Sequence, residues 1–339
     1  MKRIASAIGA ALLVASLAAC SSSPAPSTTP SASPTVTETP TTITIASLKG
    51  PTTMGLVGLM DEAAKGTAAE DYQATVYGSP DEVVPLIVQG KVDVALVPAN
   101  LAAVLYNKTK GTDAQIEVTG INTLGVLDVV ESGDTIHSMA DLKGRTVYTL
   151  GKGASPEYVL NYLLTENGLT PGEDVTVEFK SEATEVTAIL AADPEAVGVL
   201  PQPFVTILET KNPAVRTALD LTDEWTKVAP DSQLVMGVVV VRSQFAQEHP
   251  GALATFLADY KASTDFVNDQ PAAAAPLIVD AGIVPNAAIG EAAIPFCNIV
   301  DITGAEMRTA LEGYLTVLLN ADPKSVGGSL PGDDFYYGG

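Results

Sequence analysis

Cysteine is almost missing from this chain: its 339 residues hold only Cys20 and Cys297. Histidine is as scarce. His137 and His249 have no neighbouring cysteine and no His-x-x-x-His partner, so the usual zinc spacing is lacking. No Gly-x-Ser-x-Gly elbow is present to hold a hydrolase nucleophile. The stretch "GKGASPE" evokes a phosphate loop but lacks the Gly-x4-Gly-Lys-Ser/Thr spacing, which argues against nucleotide hydrolysis. Positive charge is also short. Eighteen Lys and Arg face 40 Asp and Glu, for a net charge of −22, and the acids are spread along the chain. Nucleic acid is thereby excluded as a partner, although dispersed surface charge says little about the sign of a small ligand. Beyond the first twenty residues no apolar run is long enough to span a bilayer. No cofactor and no metal site is expected.

What is present begins with "MKRIASAIGAALLVASLAAC": two basic residues, an apolar run too short to span comfortably, then small residues before Cys20. Residues 1–19 read as a secretory signal peptide, and "LAAC" resembles the lipobox of bacterial lipoproteins, in which the cysteine carries the lipid. The expectation is an exported protein, lipid-anchored through Cys20 to the outer face of the cytoplasmic membrane or on the periplasmic side. Residues 20–42 are the lipidated cysteine and a Ser/Thr/Pro tether, which has too little apolar surface to offset ordering entropy. Removing Lys2 and Arg3 makes the net charge about −24. Cys297 is then the only thiol not lipidated, so no intramolecular disulfide is expected, and it reads as a buried small hydrophobe.

From Thr42 the remaining chain is long and apolar enough for two cores, and β-rich runs alternate with helical patterns, the α/β signature. Two partial repeats stand out. Strand, Gly-containing turn and helix occur at "TITIASLKGPTTMGLVGLM" and again at "RTVYTLGKGASPEYVLNYLL"; a helix followed by an apolar strand ending in proline occurs at "KVDVALVPAN" and "EAVGVLPQPF". The stretch "IEVTGINTLGVLDVVESG" reads as one long strand, and the region after "LVMGVVVV" as helices.

In this order, "SPDEVVPLIVQGKVDVALVPAN", "SMADLKGRTV", "YVLNYLLTENGL", "VEFKSEATEV", "AVGVLPQPF" and "VVVVRSQFAQEHPGAL" make the chain resemble the substrate-binding lipoproteins of ABC importers, of the type II periplasmic-binding-protein fold. It is most similar to the group of sulfonate, nitrate, taurine and thiamine-pyrimidine binders, over about residues 43–320. The chain departs from many relatives at Gln202-Pro203, where they have Glu-Pro. The resemblance implies two lobes, each a mixed sheet flanked by helices, joined by crossing strands near 125–132 and 234–241. Lobe one would be residues 43–126 plus 240–339, and lobe two 127–239. It further implies capture of a small molecule between the lobes, delivery to ABC permease and ATPase subunits, and no enzymatic activity. The same fold also hosts enzymes resembling a pyrimidine-precursor synthase or a chorismate dehydratase, and a surface receptor without transport is a further alternative; export and lipidation weigh against the enzymes.

Ligands of α/β sheets settle beyond the carboxyl ends of strands, at helix starts. In lobe one this singles out Gly50, Pro51, Thr52, Thr53 and Met54, then Tyr77 and Ser79, then Asn100 and Asn122. In lobe two it singles out Gly153, Ala154 and Ser155, then Thr184, then Gln202. Gly allows close backbone approach, Pro suits a first helical turn, and Thr or Ser either caps amides or turns to a ligand. The amides of Asn100, Asn122 and Gln202 suit a ligand of mixed hydrogen-bonding character such as a heterocycle. Lys49 and Lys152 flank the two Gly-containing turns. They read either as a joint anion site or as solvated rim residues.

Overall fold

A computed structural model describes residues 40–338; the expected signal peptide, Cys20 and residues 21–39 of the expected tether lie outside the described residues. Among the described residues, eleven strands are arranged in two sheets. The first contains β1 (Thr42–Leu48), β2 (Asp71–Tyr77), β3 (Val94–Pro98) and β4 (Ile116–Leu124). The second holds β5 (Leu127–Ser132), β6 (Thr146–Leu150), β7 (Thr176–Lys180), β8 (Val197–Pro201) and β9 (Val215–Asp220). The chain then returns to the first sheet with β10 (Val235–Arg242) and β11 (Ile299–Ile302).

The repeats seen in the sequence reappear as topology. In the first sheet β1 lies between β2 and β3, parallel to both, and β10 runs antiparallel beside β3. In the second, β6 lies between β7 and β8, parallel to both, and β5 runs antiparallel beside β8. The full orders are β11-β4-β10-β3-β1-β2 and β7-β6-β8-β5-β9. In both sheets the carboxyl ends of three parallel strands therefore open on one edge, with helices following them.

Local chemistry accounts for those helix starts. Pro80 opens the helix Pro80–Val88, Ser79 accepts a hydrogen bond from the Asp81 amide, and Glu82 accepts from the Ser79 amide, a reciprocal cap. The helix Ser155–Glu166 starts with Pro156 in its first turn and has no side-chain cap. Strand β3 is buried at every position but its last and so reads as an unbroken apolar run, as a central strand covered on both faces does.

The expected long strand is two strands. It passes from the first sheet to the second at Gly125–Val126, where β4 ends and β5 begins. A Cβ at Gly125 would lie 2.3 Å from Thr222 Oγ1 and 3.1 Å from Leu234 Cδ2, so a side chain at this crossing would force those neighbours to shift. The return passes through residues 229–234, before the strand expected to cross. Residues 235–239, assigned above to the second lobe, pair within the first sheet, because β10 is hydrogen-bonded to both β3 and β4. One apolar cluster runs from Val97 and Val235 of the first sheet through Val126 at the crossing to Val147 and Val199 of the second. Among the described residues no helix is long and apolar enough to cross a membrane.

Candidate functional site

A cavity of about 320 Å³ lies where the strand ends of the two sheets face one another. From the first sheet it receives Leu48 at the end of β1 and Lys49 after it, Ser79 after β2 and Pro98 at the end of β3; from the second it receives Lys152 and Ala154 after β6 and Lys180 at the end of β7. Lys49 and Lys180 are half-buried and Lys152 is exposed. Three of the chain's 18 basic residues thus converge on one small space, although acids outnumber bases about twofold overall. Asp81 is the one carboxylate on the same wall. The Lys180 ammonium sits 5.2 Å over the Tyr148 ring and 3.0 Å from Glu178 Oε2. Held between a ring face and a carboxylate, its head group keeps a defined place.

Behind this cavity the two sheets are joined directly. Asn100 is fully buried; its Nδ2 donates to the Ser325 carbonyl at 2.9 Å and to the Gly153 carbonyl at 3.4 Å. The Ser155 hydroxyl, equally buried, donates to Asn100 Oδ1 at 3.1 Å. These two residues were expected to meet a ligand from opposite sides, and they meet each other.

Gly50, Pro51, Thr52, Thr53 and Met54 lie at the start of the first lobe's helix, yet none lines the cavity. The Thr52 and Thr53 hydroxyls both donate to the Leu48 carbonyl, Thr53 also pairs with the Ser47 hydroxyl at 2.7 Å, and Met54 is buried with its sulfur 3.5 Å from Cys297 Sγ. Gly50 is buried at φ 133°, in the region that favours glycine, and a Cβ there would be 3.8 Å from the Phe204 ring of the other lobe. Tyr77 packs on the core and contributes its carbonyl to the Lys49 amide at 2.8 Å.

Asn122 is buried beside Gly237, with Oδ1 bonded to the Thr123 hydroxyl. Gly153 has a left-handed φ of 77° and supplies the carbonyl to Asn100. Thr184 is exposed and donates to Glu182 Oε2. Gln202 faces away from the lysine cavity into another of about 430 Å³, donating to Asp128 Oδ2 at 3.4 Å and accepting from the Thr206 hydroxyl at 2.8 Å. Of the residues singled out from sequence, then, Ser79, Ala154 and the two lysines Lys49 and Lys152 line the lysine cavity. Lys180 and Asp81 were not foreseen. The signal for Lys180 was available: "VEFK" ends a strand, and a strand end is where a cleft residue sits. Cys297 is fully buried, and burial pushes its thiol pKa up, as suits an inert core residue.

The family described as the phosphonate, periplasmic substrate-binding proteins of ABC transporters matches residues 56–285. The chain belongs to this family. Solved structures agree on the fold across nearly the whole described chain. An ABC transporter protein of Parabacteroides distasonis is 25% identical, with 87% of this chain and 98% of that one covered at a TM-score of 0.70. The periplasmic aliphatic sulphonate-binding protein of Escherichia coli is 16% identical, with 88% and 96% covered at 0.67. The periplasmic nitrate-binding protein of Synechocystis is 12% identical, with 85% and 84% covered at 0.63. None of the curated proteins matches. The molecule is a two-lobed substrate-binding component of an ABC import system. Its family consists of binding proteins, and the enzyme alternatives on the same fold fall away.

Proposed function

We propose that the cavity between the lobes binds a small solute through an anionic group held by Lys49, Lys152 and Lys180, and that the loaded protein delivers it to an ABC permease with its ATPase subunits. The observation that carries this reading is the convergence of three lysines from both lobes on one cavity of a strongly acidic protein. A lysine ammonium binds oxyanions as a point charge; the start of the helix Ser155–Glu166 beside it already meets the Glu157 carboxylate, which accepts from the Gly153 amide, so the lysines carry the attraction. The phosphonate-binding description of the family and the sulphonate- and nitrate-binding neighbours agree in the chemistry of their ligands. Of the three amides behind the heterocycle reading, Asn100 and Gln202 spend theirs within the protein, Asn122 keeps a buried Nδ2 without a partner, and none of the three lines the lysine cavity.

The working place follows from the N-terminus. Cleavage before Cys20 and lipidation of its thiol would hold the protein outside the cytoplasmic membrane on the Ser/Thr/Pro tether. Cys20→Ser is expected to release it from the membrane fraction. A receptor without transport would bind the same solutes but leave uptake unchanged when the gene is removed.

The test of the site is titration calorimetry with methylphosphonate, methanesulfonate and nitrate. The double variant Lys49→Gln/Lys152→Gln is expected to weaken the binding anion at least tenfold. Unchanged affinity would overturn the anion reading.

A further inference from the structure

Among the described residues three basic side chains lie over tyrosine rings, and each also meets a carboxylate. Lys110 is 5.2 Å from the Tyr106 ring and 3.6 Å from Asp334, Lys180 is 5.2 Å from the Tyr148 ring and 3.0 Å from Glu178, and Arg308 is 4.9 Å from the Tyr336 ring and 2.9 Å from Glu312. The ring draws a cation by its quadrupole and the carboxylate draws it by its charge.

The same two groups occur twice in a cavity of about 490 Å³ that no basic residue lines. One wall is the helix Ser155–Glu166 of the second lobe, which contributes Tyr158, Asn161, Tyr162, Thr165 and Glu166. The other is the end of the helix Gly304–Ala321 of the first lobe, where Val317, Leu318 and Ala321 form an apolar floor beside Asn320 and Asp322. Tyr162 and Glu166 are four residues apart and so share a helix face. Tyr158 stands one turn earlier, with Asp322 of the other lobe near it. Burial first, then the charges of Glu157 and Asp322, push its phenol pKa up, as burial and Glu166 do for Tyr162. The last turns of both helices border the cavity as well. The carboxyl end of a helix favours a cation, yet neither last turn carries a basic residue.

These two tyrosine–carboxylate pairs thus lack the cation that the other three hold. We infer that the cavity binds an aliphatic diamine, with one ammonium group at Tyr162 and Glu166, the other at Tyr158 and Asp322, and the methylenes over the apolar floor. Tyr158 and Tyr162 lie about 6 Å apart along the helix axis, which a chain of roughly four carbons between the nitrogens spans. Among the described residues no three acidic, histidine or cysteine side chains are grouped to hold a metal ion, so two separated ammonium groups suit these walls better than one metal. The cavity shares no lining residue with the lysine cavity. A diamine touching both lobes there stabilises the arrangement in which they meet.

The experiment is calorimetric titration of the full chain with the terminal diamines of propane, butane and hexane and with butylamine, at fixed ionic strength. Trp225 emission is a second readout, because the indole is 5.1 Å from the Tyr162 ring. Diaminobutane is expected to bind at one site, at least fivefold more tightly than butylamine. Glu166→Gln/Asp322→Asn is expected to lose at least tenfold in that affinity; Asn keeps the cap that Asp322 gives the Lys324 amide, and thermal melting checks the fold. Asp269→Asn/Glu291→Gln removes the same charge from exposed positions elsewhere and is expected to stay within twofold. Equal losses in the two double variants would reveal a general attraction to an acidic protein and overturn the site, as would unchanged affinity in the cavity variant. Butylamine binding as tightly as diaminobutane would overturn the pairing of two ammonium groups. No binding by any of these amines would overturn the assignment as a whole.

Discussion

Asp128 sits just past the first crossing between the sheets, with a relative exposure of 9%, and faces Asp220 and Glu209 across the cavity that also holds Gln202. Burial chiefly, and then those two carboxylates, push its pKa up from 3.8 to about 7, against a hydrogen bond from Gln202 that favours the charged form. Between these two values the folded protein binds more protons than the unfolded chain, so stability falls as pH rises through that window, and the full penalty is present above about pH 7. Asp128→Asn removes the charge. Its melting temperature is expected to exceed that of the wild type at pH 8, by a stability on the order of 2–4 kcal/mol, and to converge with it near pH 4. A difference that does not change with pH would show that the carboxylate's ionisation is not the cause. Residue by residue, the sequence revealed types better than partners. It marked Asn100 and Ser155 as polar groups at strand ends, but nothing in their spacing of 55 residues shows that they bond to each other across the lobes.

At the scale of elements, periodicity exposed what is strongly patterned and missed what is short or marginal. Strands β3 and β8 are apolar runs and β1 and β6 alternate polar with apolar residues, and a proline stands at or just before the helix that follows each, so they were legible. Strand β9 buries only Val215 and Leu219 of its six residues, and β11 is a four-residue edge with one buried position. Neither has enough pattern to rise above a loop. The apparent long strand through 116–133 hid its break because both halves are apolar, and the lone signal was Gly125. That glycine carries a prediction. Gly125→Ala would push a methyl group against Thr222 Oγ1 and Leu234, with an expected cost of roughly 1–3 kcal/mol in chemical denaturation. Adding Thr222→Ala takes away the nearest atom and is expected to recover part of the loss. Equal stability of Gly125→Ala and the wild type would sink the argument that close packing, not chance, keeps glycine at the crossing.

Across the whole molecule, the sole tryptophan is placed to report the relation between the lobes. Trp225 belongs to the helix Leu221–Val228, is fully buried, and has the Tyr162 ring of the same lobe 5.1 Å away and the Tyr314 ring 5.5 Å away. Tyr314 comes from the helix Gly304–Ala321, which follows the last strand of the first sheet. Separating the lobes would draw Tyr314 from the indole and break the Asn100–Ser155 bonds together, leaving buried polar groups to find water. A solute bridging Lys49 of one lobe to Lys152 and Lys180 of the other gains all its contacts only when the lobes meet, so it stabilises that arrangement by its differential affinity. Adding a binding anion is therefore expected to shift the tryptophan emission to the blue and to reduce the radius of gyration in solution scattering. Asn100→Ala weakens the direct link and makes closure depend more on the solute. Its unliganded form should scatter as a larger particle, its emission change on saturation should exceed that of the wild type, and its affinity should fall severalfold, because ligand binding must then supply what the Asn100 bonds supplied. Emission and scattering that stay fixed in both proteins at saturating, calorimetrically verified ligand would show that capture proceeds without movement of the lobes.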